Sequence, residues 1–354
     1  MGVRIPSRIK RAAKIVFSPL PAAGASEEDS LRESLLQRIQ ASPASGAAHQ
    51  TLGDYYFSHE YFIRAIAQYR TALAFDKTPA AMRSLAEAYR AGGYPALAAE
   101  TAAALSAPQS LASNASTAPQ DDEIGLQSLD ASVYQRIRAT AIRIKELYGG
   151  KPVRVLDIGG GEGALSLFLP AAEYVLAEPA TNGLAGDVDL PERSFDVVVL
   201  CHVLEHIPTE ARDRFLSALC NKSRGQVLIV GPLAVSAYDG LGDRLAYEIT
   251  KAAWAAEHIA CQLPTRESVK TFAERAGIPV AIAPNGDAAA VFWIVFASYF
   301  ARRSGEEEAL DRITRFFNTH LSEKMTNPAQ PNDFIVELAV GRAPLREGET
   351  RKNL

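Results

Sequence analysis

Residues 153–169, VRVLDIGGGEGALSLFL, constrain this chain more than any other stretch. An apolar strand ends in Asp157, and Gly159, Gly161 and Gly163 turn it into an apolar helix. Glycines let a backbone approach a ligand closely, and a helix N-terminus offers unpaired N–H groups to an anion. Gly159, Gly161 and Ala164 also satisfy a dinucleotide fingerprint. Asp157 separates the two readings. A carboxylate just before the first glycine repels a diphosphate and favours a cationic or zwitterionic ligand, so a dehydrogenase is disfavoured.

The pattern continues as strand 173–178 (EYVLAE), strand 195–200 (FDVVVL), a helix from Glu210 to Cys220, and strand 226–231 (QVLIVG). A helix follows over Arg266–Arg275, with Thr265 as its N-cap and Gly277 as its stop. Apolar strands separated by helices predict an α/β fold: a Rossmann-like, mostly parallel sheet with helices on both faces.

Upstream, residues 26–105 read as helical throughout. Leu52, Tyr56, Tyr61 and Ala65 recur as Leu85, Tyr89, Tyr94 and Ala98, each 33 residues on. The first copy resembles the tetratricopeptide pattern, which implies an all-α helical-repeat module and a surface for a protein partner. The Ser, Ala and Pro-rich stretch 106–123 reads as a flexible linker. The expected organisation is a basic leader over 1–25, the module over 26–105, the linker over 106–123, the α/β domain over 124–345 and a tail over 346–354. A chain of 354 residues suits about two domains.

Net charge is -4, from 37 basic and 41 acidic residues, which excludes a generally basic nucleic-acid binder. Cys201, Cys220 and Cys261 are widely spaced, so neither a disulfide framework nor a cysteine zinc site is expected, and a cytoplasmic setting fits. The apolar run Ala288–Ala301 is too short for a bilayer core needing about 20 residues and reads as a buried segment. Arg4, Arg8, Lys10, Arg11 and Lys14 make the leader basic, enough for a weak contact with an anionic membrane surface.

From about residue 130 to 340 the chain resembles the class I S-adenosylmethionine-dependent methyltransferases. The matching pieces are Asp157-Ile-Gly-Gly-Gly-Glu-Gly163, Glu178 at a strand end, Gly186-Asp187, Leu190-Pro191, Ser194-Phe195-Asp196 and His202-Val-Leu-Glu-His206-Ile-Pro. The resemblance implies S-adenosylmethionine as cofactor. Asp157, Gly159, Gly161 and Gly163 would seat its methionyl part and Glu178 its ribose hydroxyls. Asp187 would accept from the adenine amino group, Leu190 would pack near the ring, and Cys201 and His202 would line the sulfonium end. Only eight residues separate Glu178 from Asp187, whereas a parallel crossover takes about a dozen or more, so the second crossover helix should be missing or reduced.

Methyl transfer to a hydroxyl asks for a base near neutral pH. His206 and His258 are the candidates, each following a glutamate, Glu205 or Glu257, that can orient a ring brought close. His202 and His206 also match an HxxEH zinc pattern. Pro208 disfavours the sustained helix that pattern needs, so no metal is expected. Trp254-Ala-Ala-Glu257-His258 and Leu263-Pro264-Thr265 resemble methyltransferases acting on sugars of bacterial surface polysaccharides. The expected reaction is therefore O-methylation of a small molecule or glycan intermediate. The rival is a binding or scaffold protein whose methyltransferase-like domain lacks turnover.

Overall fold

The computed structural model describes residues 27–106, 124–177, 189–234 and 240–341. The basic leader, residues 107–123 of the expected linker, residues 178–188 and 235–239, and everything from residue 342, which includes the expected tail over 346–354, lie outside the described residues.

Five helices open the described chain: α1 (Glu27–Ala41), α2 (Gly46–Ser58), α3 (Phe62–Phe75), α4 (Pro79–Gly92) and α5 (Pro95–Ser106). The helix starts at Gly46 and Pro79, and again at Phe62 and Pro95, are 33 residues apart, matching the sequence period. Local signals set the ends of α4. The Thr78 hydroxyl accepts from the Ala81 N–H, Pro79 opens the first turn, and Gly93 at φ +91° ends it. The repeated positions are not equivalent, since Tyr94 is buried whereas Tyr61 is 38% exposed.

After the short α6 (Ile124–Gln127) come α7 (Ala131–Tyr148), β1 (Arg154–Ile158), α8 (Leu165–Phe168), β2 (Glu173–Ala177) and β3 (Phe195–Cys201). Next are α9 (Arg212–Lys222), β4 (Ser223–Gly231), α10 (Leu241–Thr250), α11 (Ala253–Cys261), α12 (Arg266–Ala276) and β5 (Val280–Asn285). The described chain ends with α13 (Ala288–Arg303), α14 (Glu307–Phe316) and β6 (Asp333–Ala339). The sheet order is β2-β1-β3-β4-β6-β5, with β1 parallel to β2 and β3, and β3 parallel to β4. β6 runs antiparallel to β4 and β5.

Strand alternation divides the core into two layers. Val155, Val197, Val199, Leu228 and Val230 face α7 and the N-terminal helices. Leu156, Ile158, Val198, Leu200, Val227 and Ile229 face α9 and α12. Thr265 and Ser268 form a capping box at the start of α12, and Gly277 ends it at φ +65°. The apolar run expected to be a buried segment is instead the half-exposed helix α13. It buries Ala290, Val291, Phe296 and Ser298 but leaves Trp293 at 72% exposure, because one face alone packs on α10, α11 and neighbouring helices. No helix of the described residues is long and apolar enough to cross a membrane.

The N-terminal helices share the first core layer with the sheet. Helix α3 lies along the outer edge of β2. The outward Leu176 N–H donates to Thr71 Oγ1 at 3.0 Å, so a side chain answers a strand edge that no described strand pairs. Buried Arg70 donates to the carbonyls of Ser166, Leu169 (2.8 Å), Pro170 (3.3 Å) and Ala172 (2.5 Å), and its guanidinium lies 5.4 Å over the Tyr174 ring. Its replacement by Met should orphan these carbonyls and lower stability by about 3 kcal/mol. Urea melts should show far-UV dichroism and tryptophan fluorescence moving together, because the N-terminal helices and the sheet share the first core layer. Separate transitions would show two independently folding units.

Candidate functional site

The strand order reverses between β1 and β3, where open α/β sheets form a crevice at their C-terminal edge. The glycine turn after β1 lines one side. A Cβ at Gly160 would stand 2.2 Å from Asp157 Oδ2, and one at Gly159, whose φ is +67°, would stand 2.6 Å from Val203 Cγ2. The turn is thus pressed against both the carboxylate below and the segment following β3. Gly163 serves the fold on the other side, since its Cβ would lie 2.3 Å from that of Ala67 and its bare backbone therefore admits α3.

Asp157 is fully buried. The Tyr174 hydroxyl donates to its Oδ2 at 2.6 Å, and Oδ1 accepts no hydrogen bond among the described residues. Burial pushes its pKa up to about 6, against the Tyr174 hydrogen bond. An unanswered carboxylate oxygen beneath a glycine turn fits a ligand that brings donors or positive charge. In the turn, the Glu162 carboxylate pairs with Arg64 of α3 at 3.2 Å; burial raises its pKa despite that partner.

Across the crevice, β3 ends at Cys201 and His202. Cys201 is buried in the first core layer, and burial pushes its thiol up to about 12. His202, at φ +57°, has Nδ1 3.1 Å from Glu205 Oε1 and Nε2 3.0 Å from Asp333 Oδ1. Burial disfavours its charge, but Asp333 and Glu205 outweigh that and lift its pKa to about 9. His202 is therefore an imidazolium tying β3 to the start of β6, with both ring nitrogens facing carboxylates. Glu205 is correspondingly held below its ordinary range: burial opposes the charge and the imidazolium outweighs it.

Beyond it, the 3₁₀ turn Leu204–His206 meets α11. His206 and His258, 52 residues apart, face each other with Nε2 atoms 3.3 Å apart. His206 Nδ1 lies 2.7 Å from Glu257 Oε2, and His258 Nδ1 lies 3.2 Å from Asp243 Oδ1. The orienting carboxylates are crossed relative to the sequence expectation, since Glu257 serves the other histidine. Arg212 fastens the arrangement, donating to the carbonyls of Ile207 (3.0 Å), Cys261 (2.9 Å) and Gln262.

Among the sequence-predicted residues, the structure gathers Asp157, Gly159, Gly161, His202, His206 and His258 along the β1–β3 edge and the segments covering it. Leu190 is buried in the second core layer with Leu156 and Val175. Glu178 and Asp187 lie outside the described residues. Tyr174, Arg212, Asp243 and Asp333 went unread in the sequence, because each acts through a partner far away in the chain.

Residues 129–281 match the family model described as "Methyltransferase domain". No curated protein matches the chain in sequence. Among solved structures, the chain is similar to an S-adenosylmethionine-dependent methyltransferase from Archaeoglobus fulgidus (16% identity, 57% of this chain and 94% of that one, TM-score 0.35). It is also similar to magnesium protoporphyrin IX methyltransferase from Synechocystis PCC 6803 with bound S-adenosylhomocysteine (12%, 64% and 89%, 0.34). A third likeness is to a plantazolicin methyltransferase bound to a substrate analogue and S-adenosylhomocysteine (11%, 75% and 97%, 0.38). The assignment rests on the matched residues and the glycine turn. Residues 129–281, which include the glycine turn after β1, thus read as a methyltransferase domain.

Proposed function

We propose that the chain methylates an oxygen of a small molecule or glycan intermediate, in surface-polysaccharide or related metabolism. One observation carries the choice of oxygen: two carboxylate-oriented histidines stand Nε2 to Nε2 just past β3. The 3₁₀ turn bearing His206 directly follows Val203, the residue that the glycine turn touches. The bound cofactor supplies a methyl group already activated on a sulfonium. It is left to the protein to orient the acceptor, exclude water and let the hydroxyl lose its proton at the His206–His258 cluster. Asp157, Gly159 and Gly161 are assigned to the methionyl part, with Gly163 holding the turn against α3. Glu178 is assigned to the ribose, Asp187 to the adenine amino group and Leu190 to the ring. Cys201 and His202 form the wall beside the methyl group, Cys201 as a neutral thiol and His202 locked by its two carboxylates.

The helices of residues 26–105 are proposed to be tetratricopeptide-like, supported by the 33-residue spacing of their starts, and to offer a protein partner the faces left free by the sheet. A cytoplasmic setting accords with three free thiols.

S-adenosylhomocysteine release across a panel of nucleotide sugars, lipid-linked glycans and quinone precursors tests the reading; activity confined to amine acceptors would refute it. With the acceptor found, His206→Gln or His258→Gln should lower turnover by about 10²–10⁴-fold at unchanged cofactor affinity.

Asp157 gives a prediction with two opposed arms. Its folded pKa, about 6, lies above the unfolded value of about 3.9. Ionisation therefore penalises the ligand-free fold as pH rises through that window; the penalty is absent below about pH 4 and complete above about pH 6. Asp157→Asn should thus stabilise the ligand-free protein by about 2–3 kcal/mol at pH 7 and change little at pH 4. The same variant should bind S-adenosylmethionine more than about tenfold more weakly, as calorimetric titration would show.

A further inference from the structure

His206 and His258 bring two ring nitrogens together among three carboxylates. A carboxylate accepts and never donates, so Glu257 and Asp243 fix the hydrogen of each neutral ring on Nδ1. With both rings neutral, the two Nε2 lone pairs stand 3.3 Å apart, and one cation between them answers both. Glu205 adds a third electron-rich atom. Its carboxylate is 1% exposed, and Oε1, which faces His202 Nδ1 at 3.1 Å, lies 4.0 Å from His258 Nε2. All three donor atoms fall within 4.8 Å of one another.

Charge points the same way. Three carboxylates, Glu205, Asp243 and Glu257, surround the two rings. The Arg212 guanidinium is occupied by backbone carbonyls. Two nitrogens bound to one zinc ion at about 2.0–2.1 Å stand about 3.3 Å apart at a tetrahedral angle, which is the separation of the two Nε2 atoms. Each ring already has the outer carboxylate that orients a metal-bound histidine.

We propose that Glu205, His206 and His258 form a binding site for one divalent transition-metal cation, of the class that two imidazoles and a carboxylate prefer. This replaces the metal-free expectation drawn from the sequence, where the HxxEH spacing joined His202 to His206. The folded chain instead joins His206 to a histidine on another element. The site rests on the oxygen-methylation reading and changes one step of it: the two Nε2 atoms hold the cation, so they do not take the acceptor's proton. The acceptor hydroxyl binds the cation and its O–H bond breaks, with the proton passing to solvent beside the exposed Glu257. The electron pair left on oxygen then forms the bond to the methyl carbon, whose bond to sulfur breaks with its pair remaining on sulfur.

Metal content and turnover are separate readouts. Hydroxyl methylation by a chain that holds no ion overturns the site and leaves the proposed function standing; an ion-bound chain inactive on every hydroxyl overturns only the function. The test is equilibrium dialysis of the chelator-treated full chain against micromolar Zn²⁺, with Co²⁺ absorption as the spectroscopic probe. The wild type should hold about one ion per chain. Glu205→Gln and His206→Gln should each weaken binding at least about 100-fold, and Glu257→Gln, a change at an exposed carboxylate that spares the fold, by about 10–100-fold. Wild type and a folded His206→Gln/His258→Gln variant binding Zn²⁺ alike, or neither binding it, would overturn the site. Should that double variant unfold, unchanged affinity in Glu257→Gln would overturn it.

Discussion

The docking of α3 along the edge of β2 is the contact on which the rest of the molecule depends. A strand edge exposes unpaired N–H and C=O groups, and a helix offers a strand no backbone partners of its own. Side chains solve the mismatch. Thr71 answers one edge amide, and the Arg70 guanidinium gathers the carbonyls at the end of α8 and the approach to β2. The same guanidinium covers the ring of Tyr174, whose hydroxyl holds Asp157. A residue of the N-terminal helices therefore stands two contacts from the buried carboxylate beneath the glycine turn. The helical part is a structural wall of the methyltransferase sheet.

Buried charge follows one logic on both sides of the crevice. His202 is answered on both edges, and its imidazolium stabilises Glu205 and Asp333 in turn, so the group stays ionised without water. Asp157 is answered on one oxygen only, and burial raises its pKa. Satisfied charges hold elements in place. Incompletely satisfied ones, costly in the free protein, are where a ligand regains the most free energy.

Local signals made much of this legible in sequence. The strand periodicity of FDVVVL, the glycine turn and the Thr265 and Gly277 caps act over a few residues and appear where expected. β5 and β6 carry no such signal, because their pairing is set by partners across the sheet: β6 lies between β4 and β5, antiparallel to both. Ala288–Ala301 showed the opposite failure. Its apolar composition suggested full burial, but its neighbours cover one face, leaving Trp293 and Phe300 to solvent. His206 and His258 were each readable as candidates, whereas their meeting depends on Arg212 clamping the carbonyls at the end of α11, a contact with no local signature.

The crevice is thus completed from two directions by parts outside the parallel strands. α3 backs the glycine-turn side through Gly163, Arg64 and Tyr174. The pair α10 and α11, joined to the segment after β3 by Arg212 and Cys261, covers the side proposed for the acceptor. These attachments share no residue, so a change in α10 or α11 can reshape the acceptor pocket while leaving the seat of Asp157 intact. Both histidine partners, Asp243 and Glu257, sit on that covering pair, so in the proposed reaction proton removal would depend on the cover being in place. Chemistry that must exclude water is thereby tied to the element that excludes it.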